Sequence, residues 1–351
     1  MHCIWNSMKS IRLDKTFQYR NAWLGLAMLL IILYHSDFKV DFYLLRVLKA
    51  IGYFGVDICV FSSGIGCYYS LEKDPDSLRF LKRRVKRLYP TYLCFIIPWM
   101  IWRKMNGGLL FQAVIGNLLG IQSYISWGYH FNWYISALVL FYLLAPLLKK
   151  IADRTGTIWL DLLVAVFLVI SSIPFWYNSM LIAITRLPVL YLGLVYAKYA
   201  KRGYVLNIKD LVFHAVLLTA GLVLVKFSMR YDGSIRWDYG LYWYPFVVLV
   251  PSLCILFSYA ISLVKNIKVF DWMYRFLCLI GIYSFETYLV HLFLYEGLMP
   301  GIVEQYKHIN DQILWWGTIP VVIIGTFLLN RIAGLLSKGL SKIAAKRIKA
   351  A

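Results

Sequence analysis

Long hydrophobic runs alternate with short polar segments along the whole chain. An apolar helix of about twenty residues can cross the roughly 30 Å hydrocarbon core of a bilayer. Ten apolar windows of this kind can be placed, at about 21–36, 51–70, 88–102, 131–148, 158–174, 184–198, 210–228, 243–264, 276–296 and 312–331. The pattern predicts an all-α, polytopic membrane protein of about ten transmembrane helices.

The segment 103–130 breaks this pattern. Its apolar part, 109–121, is only thirteen residues long and carries glycines within it and just before it. A stretch of this length is typical of a re-entrant or interfacial segment. Together with a basic N-terminal segment, 1–20, and a basic tail, 336–351, it fits one transmembrane domain over the whole chain, 1–351.

The composition supports a membrane protein and removes one alternative. The chain is 61% hydrophobic and 15% charged, whereas soluble domains carry about 25% charged residues. Its net charge of +20, from 37 Lys and Arg against 17 Asp and Glu, would suggest a nucleic-acid partner in a soluble protein. Membrane proteins instead collect Lys and Arg in cytoplasmic loops. We therefore predict the lipid bilayer as a partner, and no nucleic acid.

The distribution of the cations predicts the orientation. With the N-terminus inside, the predicted cytoplasmic segments hold 27 Lys and Arg and the external segments hold 8. We therefore predict cytoplasmic termini in a multi-pass protein of the plasma or inner membrane. Counting 109–121 as a crossing would move Lys149, Lys150 and Lys201 outside and weaken the bias.

The cysteines indicate no covalent or metal framework. They lie mostly within apolar segments and form no Cys-x-x-Cys pair, at positions 3, 59, 67, 94, 254 and 278. Such cysteines behave as small buried hydrophobes. We predict no metal site and no tightly bound cofactor.

Two ionisable residues stand in the first two apolar runs. His35 closes the first run and Asp57 lies in the second, near Ser63. Ionisable groups at this depth are costly and often functional, and a histidine can act as a general base towards a hydroxyl. One hypothesis is that Asp57 orients His35, as in hydrolase triads. The alternatives are an interfacial histidine bonded to a loop carboxylate, and a structural Asp57 satisfied by Ser and Tyr donors.

A strongly basic loop, 79–90, leads into the third run. Its arginines Arg83, Arg84 and Arg87 are suited to hold the phosphates of a nucleotide-bearing cofactor, because guanidinium groups bind phosphate bidentately. The alternative is a topology determinant that touches anionic lipid.

A polar stripe lies in the ninth run. At 100° per residue, Ser284, Tyr288 and His291 share one helical face, which can line a cavity, and Glu286 lies about 140° from His291. Weaker signals are Trp133, within an aromatic group at 129–134, and Arg186. The aromatic group is typical of an interfacial belt, and Arg186 either faces a cavity or snorkels.

Taken in order, these motifs resemble the integral-membrane acyltransferase-3 family, over nearly the whole chain. The matching segments are Leu33-Tyr34-His35, Gly55-Val56-Asp57 with Ser63-Gly64, Arg83-Arg84 with Arg87-Leu88-Tyr89-Pro90, Trp133-Tyr134 with Pro146, Arg186 with Gly193, and Ser284 with Tyr288-Leu289-Val290-His291. The resemblance implies transfer of an acyl group, typically acetyl, from an acyl-coenzyme A donor to a hydroxyl of a cell-surface or envelope glycan.

The resemblance also assigns roles to residues. It implies that His35 is the catalytic base, that the basic loop helps to bind the coenzyme, and that the acceptor glycan is reached from the outer side. The family usually has an arginine eleven residues before its histidine, where this chain has Leu24. Arg20 lies one helical turn further towards the cytoplasm, about 60° from His35 in rotation, and is the candidate substitute.

Two other functions stay open. A glycan or metabolite permease would use His35, Asp57, Arg186 and His291 to line a proton-linked path, although the chain shows no paired repeats of the kind common in transporters. A catalytically inactive relative would only bind a partner or glycan. The sequence makes no prediction of the oligomeric state.

Overall fold

The structure is a computed structural model that describes residues 10–125, 132–172 and 182–350, with side chains described as far as residue 339. The described chain is predominantly helical, and the described residues of the ten hydrophobic windows lie largely in helices. The all-α prediction is confirmed for these residues apart from one very short strand pair. That pair joins β1 (Ile11–Arg12) to β2 (Val205–Leu206) in antiparallel register.

Fourteen helices of seven or more residues make up the described chain. They are α1 (Arg20–His35), α2 (Tyr43–Ile51), α3 (Gly55–Lys73), α4 (Ser77–Met105), α5 (Phe111–Leu119), α6 (Trp133–Arg154), α7 (Ile158–Ser172), α8 (Leu187–Lys201), α9 (Ile208–Ser228), α10 (Tyr244–Val264), α11 (Lys268–Ile282), α12 (Ser284–Leu292), α13 (Met299–Gln305) and α14 (Asp311–Ala350). Shorter helical turns are Leu13–Thr16, Phe17–Tyr19, Gly52–Phe54, Gln122–Ile125 and Gly233–Asp238, and a π-helical turn, Phe293–Leu298, joins α12 to α13.

Several of these helices are long and apolar enough to cross a membrane. Within the described residues they are α6, α9, α10 and the first 29 residues of α14, and α11 with Ser284–Gln305 makes a fifth if the two form one broken span. The helices α1, α7 and α8 have only 15 or 16 residues. The protein is therefore a membrane protein, and the count of ten crossings stays a prediction.

Contacts divide the chain into two compact units. Unit 1 contains residues 1–31, 53–75 and 137–282, and unit 2 contains residues 32–52, 76–136 and 283–351. Each unit thus collects three separate stretches of sequence. A single domain over 1–351 stays a prediction.

Glycines let helices approach closely in unit 1. A Cβ on Gly64 of α3 would lie 2.3 Å from the carbonyl oxygen of Leu190, and a Cβ on Gly193 of α8 would lie 2.3 Å from that of Phe61. Small residues at such crossings are the usual packing device of membrane helices. The Gly64 and Gly193 contacts fix α3 against α8.

A buried ion pair links α7 and α8 in unit 1. Lys198 Nζ lies 2.5 Å from Asp161 Oδ2 and donates at 3.0 Å both to the Ala152 carbonyl and to Thr155 Oγ1. Both charged side chains are at most 1% exposed. Asp161 in turn accepts hydrogen bonds from the hydroxyls of Thr155, Tyr191 and Tyr199. Every ammonium proton therefore has an acceptor.

An ionic cluster around Glu72 lies within unit 1. Glu72 accepts a hydrogen bond from Lys201 and lies 3.0 Å from Lys149. These cations lower the pKa of the Glu72 carboxyl, chiefly through the hydrogen bond from Lys201. Glu72, Lys149 and Lys201 lie in three of the six segments that the cation count predicts to be cytoplasmic, namely 71–88, 149–157 and 198–209. If 109–121 crossed the bilayer, Glu72 and Lys149 would lie on opposite sides.

Candidate active site

His35 lies beside a carboxylate, Glu296, that the sequence pattern did not single out. It is the last residue of α1, and its Nε2 lies 3.4 Å from Oε1 of Glu296, with both side chains partly buried. A carboxylate only accepts hydrogen bonds, so it favours the tautomer with the proton on Nε2. Nδ1 is then the basic nitrogen of His35.

A π-helical turn explains why Glu296 faces the histidines. In a regular α-helix, residues 291 and 296 would lie about 140° apart. The turn Phe293–Leu298 is π-helical, and the Met299 N–H bonds the Leu294 carbonyl five residues back. The wider turn accommodates an additional residue, which brings His291 and Glu296 to the side occupied by His35. Pro300 favours it, because proline has no N–H to donate to the Glu296 carbonyl.

His291 forms the buried side of the cluster. Its ring centroid lies 5.3 Å from that of His35, and its side chain is fully buried. Nδ1 lies 3.0 Å from the Thr287 carbonyl oxygen, one turn earlier in α12. His35, Glu296 and His291 therefore form one polar cluster within unit 2, which we call the histidine cluster.

Aromatic rings extend the cluster along the predicted polar stripe. The Tyr288 ring lies 5.6 Å from His291, and the Tyr134 ring lies 5.2 Å from Tyr288. Trp133 packs edge-on against Tyr134 at 5.9 Å, and Ser284 begins α12, one turn before Tyr288. The rest of the aromatic group, 129–131, lies outside the described residues.

Glu286 lies apart from the stripe, as its rotation predicts. It accepts a hydrogen bond of 3.2 Å from the Asn330 side chain of α14. Its carboxylate therefore has a packing partner of its own within unit 2.

The basic segment is helical, so its description as a loop was wrong. Residues 79–90 form the first turns of α4, whose N-cap, Asp76, accepts a hydrogen bond from the Arg79 N–H at 2.7 Å. Leu, Lys and Arg are strong helix formers, so the capped segment continues directly into the apolar part. Arg83 and Arg87 are exposed one turn apart, and the Arg84 guanidinium lies 5.0 Å from the Phe80 ring centroid.

Arg20 contacts α3 within unit 1. Its Nε donates to Ser62 Oγ at 2.5 Å, and its guanidinium passes close to Gly66. The contacted serine is the buried Ser62, whereas Ser63 is half-buried. The predicted role of Arg20 in coenzyme binding stays a prediction, as does a cavity role for Ser63.

Asp57 and Arg186 form a buried pair in unit 1. Arg186 Nε lies 3.4 Å from Asp57 Oδ1, and both side chains are at most 2% exposed. Arg186 also donates to the Ile182 carbonyl at 2.7 Å and stacks over Trp243 at 5.1 Å. It is thus held inside the protein instead of snorkelling to the surface. The hypothesis that Asp57 orients His35 stays a prediction, and the carboxylate seen beside His35 is Glu296.

Comparison with known proteins identifies the family. A family model described as an acyltransferase domain, that of the acyltransferase-3 family, matches residues 21–332. No curated protein and no solved structure matches the chain. The matched region includes the basic end of α4 and the whole histidine cluster, which agrees with the resemblance inferred from the motifs. Because the match covers most of the sequence, the chain belongs to the acyltransferase-3 family and is a membrane acyltransferase.

Proposed function

We propose that this acyltransferase moves an acyl group, acetyl in the simplest case, from acyl-coenzyme A to a hydroxyl of a cell-envelope glycan, with His35 as general base. The observation that carries the proposal is the ion-pair geometry of His35 and Glu296, 3.4 Å apart beside the buried ring of His291. A base held by a carboxylate is the arrangement that activates hydroxyl nucleophiles in many acyl-transfer enzymes.

The proposed reaction needs one proton to be taken and returned. Nδ1 of His35 accepts the proton of the glycan hydroxyl while its oxygen attacks the thioester carbonyl. The tetrahedral intermediate then collapses, the carbon–sulfur bond breaks, and the imidazolium returns the proton to the coenzyme A thiolate. Glu296 stabilises the imidazolium between these steps. General-base assistance of this kind typically accelerates a reaction by about 10²–10⁴-fold.

The basic end of α4 supports a phosphate-bearing donor. Three arginines, Arg83, Arg84 and Arg87, lie near the N-terminal end of this helix. Guanidinium groups bind phosphate bidentately, so these side chains would match the three phosphate groups of coenzyme A. Donor entry from the cytoplasm follows from the predicted orientation, and the glycan would approach from the opposite side.

The test of the base uses purified protein in detergent or nanodiscs. Transfer of radiolabelled acetyl from acetyl-coenzyme A to an envelope polysaccharide is compared for the wild type, His35→Ala and the control His308→Ala, whose histidine is exposed. We expect His35→Ala to lose about 10²–10⁴-fold in rate with an unchanged melting temperature. A wild-type rate in His35→Ala would overturn its assignment as base.

The test of the donor site measures acetyl-coenzyme A binding. Charge reversal of Arg84 and Arg87 should abolish binding, whereas reversal of Arg103 and Lys104, exposed at the other end of α4, should leave it intact. If both double variants bound acetyl-coenzyme A equally, the basic end of α4 would not be the donor-binding site. A wild type that neither binds acetyl-coenzyme A nor transfers acetyl would favour the permease or the inactive relative.

A further inference from the structure

We propose that His291 binds a second hydroxyl of the acceptor, so that the favoured substrate presents two neighbouring hydroxyls instead of an isolated one. The inference rests on the proposed function, because it concerns the acceptor of that reaction. It gives the buried histidine a binding role and leaves proton transfer to His35.

The position of the proton on His291 follows from its backbone contact. Nδ1 lies 3.0 Å from the Thr287 carbonyl oxygen, and a carbonyl oxygen can only accept. The hydrogen of the neutral ring is therefore on Nδ1, and Nε2 carries a lone pair. In this tautomer, His291 can accept a hydrogen bond at Nε2 but cannot donate one there.

Nε2 of His291 lies in a buried position that calls for a donor. It is fully buried and makes no hydrogen bond with any residue in the described part of the chain. The Tyr295 hydroxyl, on a neighbouring ring, is directed elsewhere. Thr318 Oγ1 donates to the Trp315 carbonyl at 2.6 Å, so Tyr295 donates to Thr318 at 3.0 Å. A buried acceptor without a donor is uncommon and costly, and a ligand hydroxyl would supply one.

The Nε2 lone pair of His291 lies beside His35, and this position determines how the hydroxyls of the ligand must be arranged. The two imidazole rings lie 5.3 Å apart at an interplanar angle of 55°. Neighbouring hydroxyls of a sugar ring are close enough for the two rings to take one each. The hydroxyl next to His35 loses its proton and is acylated, and its neighbour donates to His291 and fixes the orientation. A vicinal diol therefore matches the cluster better than a single alcohol.

The test uses trans-1,2-cyclohexanediol and cyclohexanol as minimal acceptors of acetyl from acetyl-coenzyme A. We expect the wild type to prefer the diol about 10-fold or more in kcat/KM, beyond the statistical factor of two, since a site built for a hydroxyl disfavours an analogue without it. His291→Leu should remove this preference by lowering kcat/KM for the diol much more than kcat/KM for cyclohexanol. His291→Gln, which keeps an acceptor, should restore part of it.

Other results would overturn the inference. If His291→Leu lowered kcat/KM equally for the diol and for cyclohexanol, His291 would be a residue that only packs against His35. If the wild type did not prefer the diol, no second hydroxyl would be bound. Thermal stabilisation by each compound gives a readout that needs no turnover. Selective stabilisation of the wild type by the diol without acetyl transfer would support the His291 site while contradicting the proposed reaction. If the diol neither stabilised the wild type nor accepted acetyl, both the His291 site and the proposed reaction would be overturned.

Discussion

Two buried polar clusters, one in each unit, differ in how fully their hydrogen bonds are satisfied. In unit 1, Lys198 and Asp161 find an acceptor for every ammonium proton and several donors for the carboxylate. In unit 2, the histidine cluster leaves His291 Nε2 without a donor among the described residues. The first cluster is complete without a ligand, and the second is not.

The difference separates structural from functional polar groups in an apolar chain. Charged and polar groups are expensive in a hydrophobic surrounding, so their presence requires an explanation. A network in which every buried polar group has a hydrogen-bond partner needs no ligand, because its members stabilise one another. In the histidine cluster, the incomplete network is consistent with the proposal that an acceptor hydroxyl supplies the missing donor. Variants of the two clusters should therefore affect different measurements.

The largest effect should follow from breaking the complete cluster. Lys198→Met leaves Asp161 charged and buried, which typically costs about 3–5 kcal/mol in the free energy of unfolding. We expect a strongly lowered melting temperature in detergent and a poor yield. Adding Asp161→Leu should recover most of the loss, since no charge then remains buried. A stable Lys198→Met single variant would contradict the structural role.

A smaller effect, on turnover alone, should follow from Glu296→Gln in the incomplete cluster. The amide cannot stabilise the His35 imidazolium, so we expect kcat to fall about 100-fold, the lower end of the range for general-base assistance, with KM and the melting temperature unchanged. Glu296→Asp should recover part of kcat. The comparison would fail if Glu296→Gln unfolded the protein as Lys198→Met does.

Packing of α3 against α8, the helix that carries Lys198, should be sensitive to one methyl group. Gly193→Ala places a Cβ 2.3 Å from a backbone oxygen of α3, and such overpacking costs about 2 kcal/mol. The matched control is Gly317→Ala on α14, where nothing lies within 4 Å of the added Cβ. Thermal unfolding should show destabilisation for Gly193→Ala only. Equal melting temperatures would mean that α3 and α8 can separate without cost.

The smallest effect should come from the exposed Glu72 cluster and should depend on pH. Because the pKa of Glu72 is lowered in the folded protein, the carboxylate stabilises the fold at neutral pH and loses this effect as the pH falls through the folded pKa. Glu72→Gln should lower the melting temperature by a few degrees or less at pH 7. The difference from the wild type should shrink in acid, and a constant difference would exclude the ionic origin.

The sequence predicted the features that depend on the local hydrophobic pattern and on the free-energy cost of placing ionisable groups near hydrocarbon. The described residues of the apolar windows are predominantly helical, and the expense of an ionisable group near hydrocarbon selected His35 as a candidate. The rotation of α12 also placed Tyr288 beside His291 and kept Glu286 apart.

Other features depend on tertiary structure and could not be read from the pattern. Glu296 could not be found from the pattern because the rotation of 100° per residue that holds in an α-helix fails in the π-helical turn. Asp161 and Lys198 lie 37 residues apart, and nothing local pairs them. The choice of Ser62 over Ser63 by Arg20 depends on how α1 and α3 meet. The signal that could have found Glu296 is its position just before Gly297 and Pro300, which weaken a regular helix.

The π-helical turn makes the histidine cluster sensitive to chain length as well as to side chains. The turn holds one residue more than an α-helical turn. Deleting the single codon of Gly297 would let the turn close as ordinary α-helix, and Glu296, still five residues after His291, would then lie about 140° from it around the helix. His35 and His291 would remain in place while the base lost its carboxylate. Removing one residue would thus leave His35 without its carboxylate partner, although every side chain of the cluster would still be present in the sequence.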